Sequence, residues 1–255
     1  MVVNFNAAAR HSLMTEHAPL IPAQAGIQGN KRWSSRPGVP AFAGTSGDEE
    51  QAVHAAPQRG GNMIFTETKL AGAYLIDLDR REDNRGFFAR MFCQKEFAAH
   101  GLKPVIPQAN VGSNLKRGTV RGMHFQYPPA AETKYVRCTR GAILDIIVDL
   151  RPESPTYLEH VAVELSADNQ RGLYIPERFA HGYITLEDKT DTSYMVGEYY
   201  TPGVEGGLMY NDPQLALDWP LPVSVISEKD TQWPLLDQIG DDVKRRMQIL
   251  EMVEA

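Results

Sequence analysis

The chain has 255 residues, a formal charge of −6 and 42 % hydrophobic residues, enough for one large domain or two small ones with a true core. Mild acidity argues against a nucleic-acid binder, which needs a basic patch, and no apolar run approaches the about 18 residues of a membrane-spanning helix. Only Cys93 and Cys138 are present, without metal-type spacing, and the N-terminus shows no basic region followed by an apolar core, so a reduced cytoplasmic setting is expected.

Residues 1–62 differ from the rest. They are rich in Ala, Gly and Pro, as in "APLIPAQAGIQG" and "SRPGVPAFAGTSG", and all ten tyrosines lie after them. No periodicity is sustained there, which predicts a segment without stable structure. The phrases "LIPAQAGIQ" and "GVPAFAGTSG" resemble translated copies of a dispersed palindromic repeat found between bacterial genes, so Met63 is expected to be the functional start.

From Met63 onward the pattern is one of short strands. A helix is predicted near "CQKEFAAHG", closed by Gly101. "KYVRC", "AILDIIVDL", "HVAVELS", "GLYIP", "TSYMVGEYY" and "GLMYN" are rich in β-branched and aromatic residues. Turn sequences such as "RPESPT", "SADNQ" and "LEDKTD" separate them, which predicts an antiparallel sandwich or barrel. The tail 237–255 has helical spacing at Val243, Met247, Ile249, Leu250 and Val253. There is no glycine-rich phosphate loop and no G-x-S-x-G elbow.

The stretch "RGTVRGMHFQYPPAAETKYVRC" places polar groups where a sheet prefers Val or Ile. Read as two strands of one hairpin around Pro128–Pro129, it brings Lys134 near His124. Strand alternation puts Gly118, Val120, Gly122, His124 and Gln126 on one face, with the glycines leaving room beside His124. Arg121 has the opposite parity and would point away unless Gly122 marks a bulge. A histidine beside a lysine inside a sheet requires a balancing carboxylate. A lone sheet histidine is as readily a hydrogen-bonded core residue as a catalyst. Metal-binding double-stranded β-helices usually have two histidines one residue apart, and "MHFQ" has Gln126 in the second place, which argues against a metal.

Three later segments are also polar. "IPERFAHGYITLED" reads as a strand connection around His181. "SYMVGEYY" puts Tyr194, Glu198 and Tyr200 on one face and Tyr199 on the other, and "ISEKDTQWP" reads as a surface loop.

Taken in order, "DNRGFF", "QAN", "VRGMHFQ", "KYVRCTRGAILDIIVDLRPESPTY", "IPERFAHGY", "SYMVGEYYTPGVEGG", "NDPQLALDWP" and "SEKD" resemble the dTDP-4-dehydrorhamnose 3,5-epimerase family, over nearly all of residues 63–236. The resemblance implies an all-β, cupin-type jelly-roll sandwich with short flanking helices. It also implies a homodimer with strands exchanged and no metal or redox cofactor. The implied reaction, in dTDP-rhamnose-like deoxysugar and cell-surface polysaccharide biosynthesis, is epimerisation at C3, C5 or both of a nucleotide-linked 4-keto-6-deoxy sugar. The keto group acidifies the neighbouring C–H bonds, so a base on one face, an acid on the other and a cation at the enolate oxygen suffice. By resemblance His124 is the base, Asp230 its carboxylate partner, Lys134 the enolate-stabilising cation and Tyr194 the acid. Arg85, Phe88, Gln108, Asn110, Arg121, His181 and Tyr199 match positions lining the sugar and diphosphate. The chain departs from the family pattern at Arg90, where many members are acidic, and at Phe125, where many have Tyr. A 3,4-ketoisomerase, a single-carbon epimerase and a non-catalytic sugar-binding cupin are the alternatives on this scaffold. The full set of His124, Lys134, Tyr194 and Asp230 weighs against the last.

Overall fold

The computed structural model describes residues 62–249, all within the second of the chain's two units, 55–255. The expectation for the N-terminal segment therefore lies, except for Asn62, outside the described residues. So do the last six residues of the expected helical tail.

In chain order the elements are β1 (Ile64–Glu67), β2 (Tyr74–Asp77), β3 (Arg81–Asp83), β4 (Gly86–Phe88), α1 (Gln94–Ala99), β5 (Gln108–Asn114), β6 (Thr119–Gln126), β7 (Lys134–Arg140) and β8 (Ala142–Asp149). There follow β9 (His160–Ser166), β10 (Gly172–Ile175), β11 (Phe179–Thr185), β12 (Thr190–Val196), β13 (Glu205–Gly207), β14 (Val225–Ile226), a 3₁₀ turn (Lys229–Thr231) and α2 (Leu236–Arg246). One sheet has the order β1-β2-β10-β7-β12-β5. The other runs β13-β6-β11-β8-β9, with β14 parallel to β6. β3 and β4 form a separate two-stranded hairpin. This is the jelly-roll sandwich of a cupin, with short helices at its flanks.

The core lies in three layers. Between the sheets, Val136 and Cys138 of β7 and Leu173 and Ile175 of β10 meet Ile143 and Ile147 of β8 and Phe179 and Tyr183 of β11. On the outer side of the second sheet, Met123, Phe125, Ile146 and Val148 pack under Leu236, Val243 and Met247 of the α2 region. Outside the first sheet, Phe97 of α1 meets Tyr135 and Tyr174 edge-to-face at 5.4 and 5.8 Å. β8 is buried on both faces, which is why it reads as an almost unbroken apolar run. Each fully buried Ile or Phe of these layers contributes about 1.5–3 kcal/mol.

Three expectations are revised. β6 and β7 do not form a hairpin; they belong to opposite sheets, and residues 127–133 cross between them. Gln126 pins that crossover, donating to the carbonyls of Ala130 (3.0 Å) and Tyr199 (3.2 Å) and accepting from Thr201 N–H (2.8 Å). Gly118, just before β6, and Gly122 within it do not open space. A Cβ on Gly122, where φ is +126°, would lie 2.5 Å from the Gly182 Cα, so this glycine lets β6 and β11 approach closely. Finally, α2 ends at Arg246. The Met247 carbonyl just beyond accepts from Arg178 (2.9 Å), and Ile249 stands exposed.

Candidate active site

The open end of the sandwich holds a cleft of about 420 Å³ whose walls come from both sheets. β6 contributes Arg121 and His124, β11 contributes His181 and Tyr183, and β12 contributes Tyr194. Gln108 and Asn110 of β5, Lys134 at the start of β7, and the segment 227–233 close it.

Arg121 and His124 can face the same space because β6 carries an irregularity. His181 pairs with His124, but Tyr183 pairs with Arg121, so two residues of β11 span three of β6. The bulge at Gly122 turns Arg121 inward, where its Nε donates to Asn114 Oδ1 (2.8 Å).

Two histidines thus sit side by side on paired strands, each with its own carboxylate. His124 Nε2 lies 2.6 Å from Asp230 Oδ1. Asp230 is buried on the 3₁₀ turn and also accepts from Trp233 Nε1 (3.2 Å) and Gly122 N–H (3.4 Å). Burial pushes the Asp230 carboxyl up. The bond to His124 and its charge, with the Gly122 and Trp233 donors, outweigh that and hold it below the ordinary aspartate range. The segment read as a surface loop is therefore an inward wall. His181, read as part of a connection, is a buried residue of β11 with Nε2 2.6 Å from Asp145 Oδ1.

Asp145 was not singled out from the sequence. Its signal is present in "AILDIIVDL", where Asp145 sits mid-strand among apolar neighbours with the inward parity of Ile143 and Ile147. A charge at such a position requires a partner. The structure supplies His181, and Asp145 Oδ2 has no hydrogen-bond partner.

Lys134 Nζ lies 3.2 Å from Glu132 Oε1, both side chains largely buried at the cleft wall. Tyr194 packs against the inter-sheet core with its ring edge-on to His181 at 6.2 Å between centroids. Its oxygen accepts from Thr192 Oγ1 (2.9 Å). Burial pushes the Tyr194 hydroxyl well above its usual pKa, and the neighbouring Tyr183 adds to the rise while the Thr192 bond opposes it. Tyr194 is therefore a neutral phenol at the cleft wall at neutral pH.

The cleft thus gathers His124, Asp230, Lys134, Tyr194, Gln108, Asn110, Arg121 and His181. It does not gather Arg85 or Phe88, which stand on the exposed β3–β4 hairpin, nor Tyr199. Tyr200, Glu205 and Lys229 line the cleft and were not assigned from the sequence; Lys229 Nζ meets Glu205 Oε2 at 2.8 Å. Among the described residues no group of three or more His, Cys, Asp or Glu side chains could hold a metal ion, and no helix is long and apolar enough to cross a membrane.

The chain is similar to proteins of known kind. The family model described as dTDP-4-dehydrorhamnose 3,5-epimerase matches residues 67–238. The dTDP-4-dehydrorhamnose 3,5-epimerase of Salmonella typhimurium is 39 % identical over 178 residues, which cover 69 % of this chain and 97 % of the relative. The dTDP-4-dehydrorhamnose 3-epimerase of Streptomyces niveus is 35 % identical over 173 residues, 68 % of this chain and 83 % of the relative. Among solved structures, the dTDP-6-deoxy-D-glucose-3,5-epimerase of Legionella pneumophila, in complex with dTDP-4-keto-L-rhamnose, superposes with a TM-score of 0.68 at 35 % identity. That match covers 74 % of this chain and 100 % of that one. A jelly roll whose mouth holds a His–Asp pair and a neutral tyrosine, matched by these relatives over nearly their whole length, places this chain in the dTDP-4-dehydrorhamnose 3,5-epimerase family.

Proposed function

We propose that the chain epimerises a nucleotide-linked 4-keto-6-deoxy sugar of the dTDP-4-dehydro-6-deoxyglucose type, at C3, C5 or both, through an enolate. The observation that carries this reading is the pairing of His124 with buried Asp230 in a cleft that also presents Lys134 and the neutral Tyr194.

Each group fits one step. His124 takes the proton from the carbon beside the keto group, and Asp230 orients the imidazole and stabilises its charged form. Lys134 provides a cation where the enolate oxygen develops charge. Tyr194 returns a proton from the opposite face. Arg121, His181, Gln108 and Asn110 are assigned to the sugar and diphosphate; a guanidinium suits a diphosphate through its paired donors.

The working unit in this reading is a cytoplasmic homodimer. Arg85 and Phe88 lie outside the cleft of their own chain on a hairpin whose residues are all exposed, Phe88 at 76 %. We assign them to the cleft of the second copy, alongside Tyr199. Both cysteines are free, in keeping with a reducing compartment.

A single-carbon epimerase is the second reading, favoured by the Streptomyces niveus relative, which is named a 3-epimerase. Incubation with dTDP-4-keto-6-deoxyglucose in deuterated water, followed by NMR, tests both. Label at C3 and C5 with inversion is expected; label at C3 alone selects the second reading, and no label at either carbon defeats both.

A further inference from the structure

Three hydroxyls meet behind the cleft wall. Thr192 and Tyr194 are two apart on β12 and share its inward face. Thr192 Oγ1 donates to the Tyr194 oxygen at 2.9 Å, with the Gly112 carbonyl at 3.3 Å and the Tyr183 hydroxyl at 3.4 Å as its other neighbours. Thr192 is completely buried, so water cannot substitute for it. β5 makes room for the cluster. A Cβ on Gly112 would lie 2.8 Å from Thr192 Oγ1, 3.3 Å from the Tyr194 hydroxyl and 3.4 Å from the Tyr183 hydroxyl. The Tyr183 hydroxyl in turn accepts from Asn114 Nδ2 (3.2 Å), and Asn114 Oδ1 accepts from Arg121 (2.8 Å). The cluster is thus tied to a cation of the cleft.

We propose that Thr192 is a positioning residue for proton return. Its hydroxyl occupies a lone pair of the Tyr194 oxygen from the core side, turns the phenolic O–H toward the cleft, and stabilises the tyrosinate once the proton has left. This rests on the assignment of Tyr194 as the acid. The step balances without a co-reactant. A substrate C–H bond breaks and its proton goes to His124, leaving an enolate. The enolate C=C then takes the Tyr194 proton on the opposite face, the C=O re-forms, and the protein holds an imidazolium and a tyrosinate that reset through solvent. A donor already aimed at the oxygen favours the anion more than the phenol, because hydrogen bonds to charged acceptors are stronger. Burial opposes that anion, which is where such a donor has most effect.

The test uses the full chain and dTDP-4-keto-6-deoxyglucose in deuterated water, with deuterium uptake and inversion followed separately. Thr192→Val keeps the shape and removes the donor; inversion is expected to fall about 10- to 100-fold while uptake persists. Thr192→Ser restores the hydroxyl and is expected to restore inversion. With tyrosines carrying ¹³C at Cζ, the signal missing from Tyr194→Phe identifies residue 194, and it should titrate at higher pH in Thr192→Val than in Thr192→Ser. If the Val chain does not fold, Thr192→Cys, a weak donor, takes its place with the same expected order. Wild-type inversion in a folded Val or Cys chain, or equal loss of uptake and inversion, overturns the proposal. Full inversion by Tyr194→Phe would instead sink the acid assignment on which it rests.

Discussion

At the scale of single residues, the proposed base and acid predict separable defects. His124→Ala is expected to abolish deuterium uptake, because Asp230, the neighbouring carboxylate, is held ionised but points at the imidazole rather than serving alone as a base. Asp230→Asn should slow uptake without ending it. Tyr194→Phe should permit uptake and lose most inversion. Asp230 also carries a pH signature. Its folded pKa is below its unfolded one, so its stabilisation is present above the ordinary aspartate value of 3.8 and is lost as pH falls through the lowered value. Asp230→Asn should therefore lose less stability on acidification than the parent chain, as read by thermal unfolding from neutral to acid pH. Arg121 was only half legible from the sequence, because strand parity points it away unless Gly122 marks a bulge, and the register of β6 against β11 supplies that bulge. Asp145 was passed over because it hides in an apolar run, and only its parity with Ile143 and Ile147 marks it. Glu205 carries no local signal; Tyr200 shares strand parity with Tyr194 and Lys229 lies in the polar "ISEKDTQWP", but nothing local says that either segment turns toward the cleft.

At the scale of elements, strand identity was readable and strand pairing was not. The Pro128–Pro129 turn looks like a hairpin because local sequence records that the chain reverses, not which sheet receives it. Gln126 decides the matter by binding both the crossover and residues 199–201. The contact of β6 with β11 gives a sharp test. Gly122→Ala puts a methyl against the Gly182 backbone, which has no flexible end to yield. A loss of about 2–3 kcal/mol or more is expected in denaturant unfolding, with a shift in both histidine side-chain signals. Gly240 is the contrast. It lies inside α2 with nothing within 4 Å of an added Cβ, so Gly240→Ala should stabilise by about 0.5–1 kcal/mol. A Gly122→Ala chain as stable as its parent would show that β6 and β11 are not held by that contact.

At the scale of the whole molecule, the question is how many chains make one site. If the β3–β4 hairpin serves the other copy, chains carrying Arg85→Ala and chains carrying His124→Ala complement each other. Mixing and reassembling them leaves half of the dimers with one intact cleft, so about a quarter of full activity returns. Absence of rescue in reassembled dimers would place Arg85 at its own chain's cleft or nowhere in the reaction. The N-terminal segment is a separate matter. The Salmonella typhimurium relative is matched over 97 % of its length by 69 % of this chain, and the family match begins at residue 67. A chain beginning at Met63 is accordingly expected to fold, to keep its assembly state in light scattering, and to turn over at the parental rate. Aggregation of that shorter chain would refute this.

The cleft is built of two kinds of material. His124, His181 and Tyr194 stand on strands clamped by the Gly122–Gly182 contact and the three-layer core, whereas Tyr200, Lys229 and Trp233 stand on connecting segments. For an engineer this divides the protein into a fixed reactor and an exchangeable mouthpiece. A library confined to residues 198–205 and 228–229, which leaves Asp230 and its partners Ser227 and Trp233 untouched, is expected to shift sugar or nucleotide tolerance with the His124–Asp230 pair intact. One that randomises β6 or β11 spends its diversity on chains that fail before they meet a substrate.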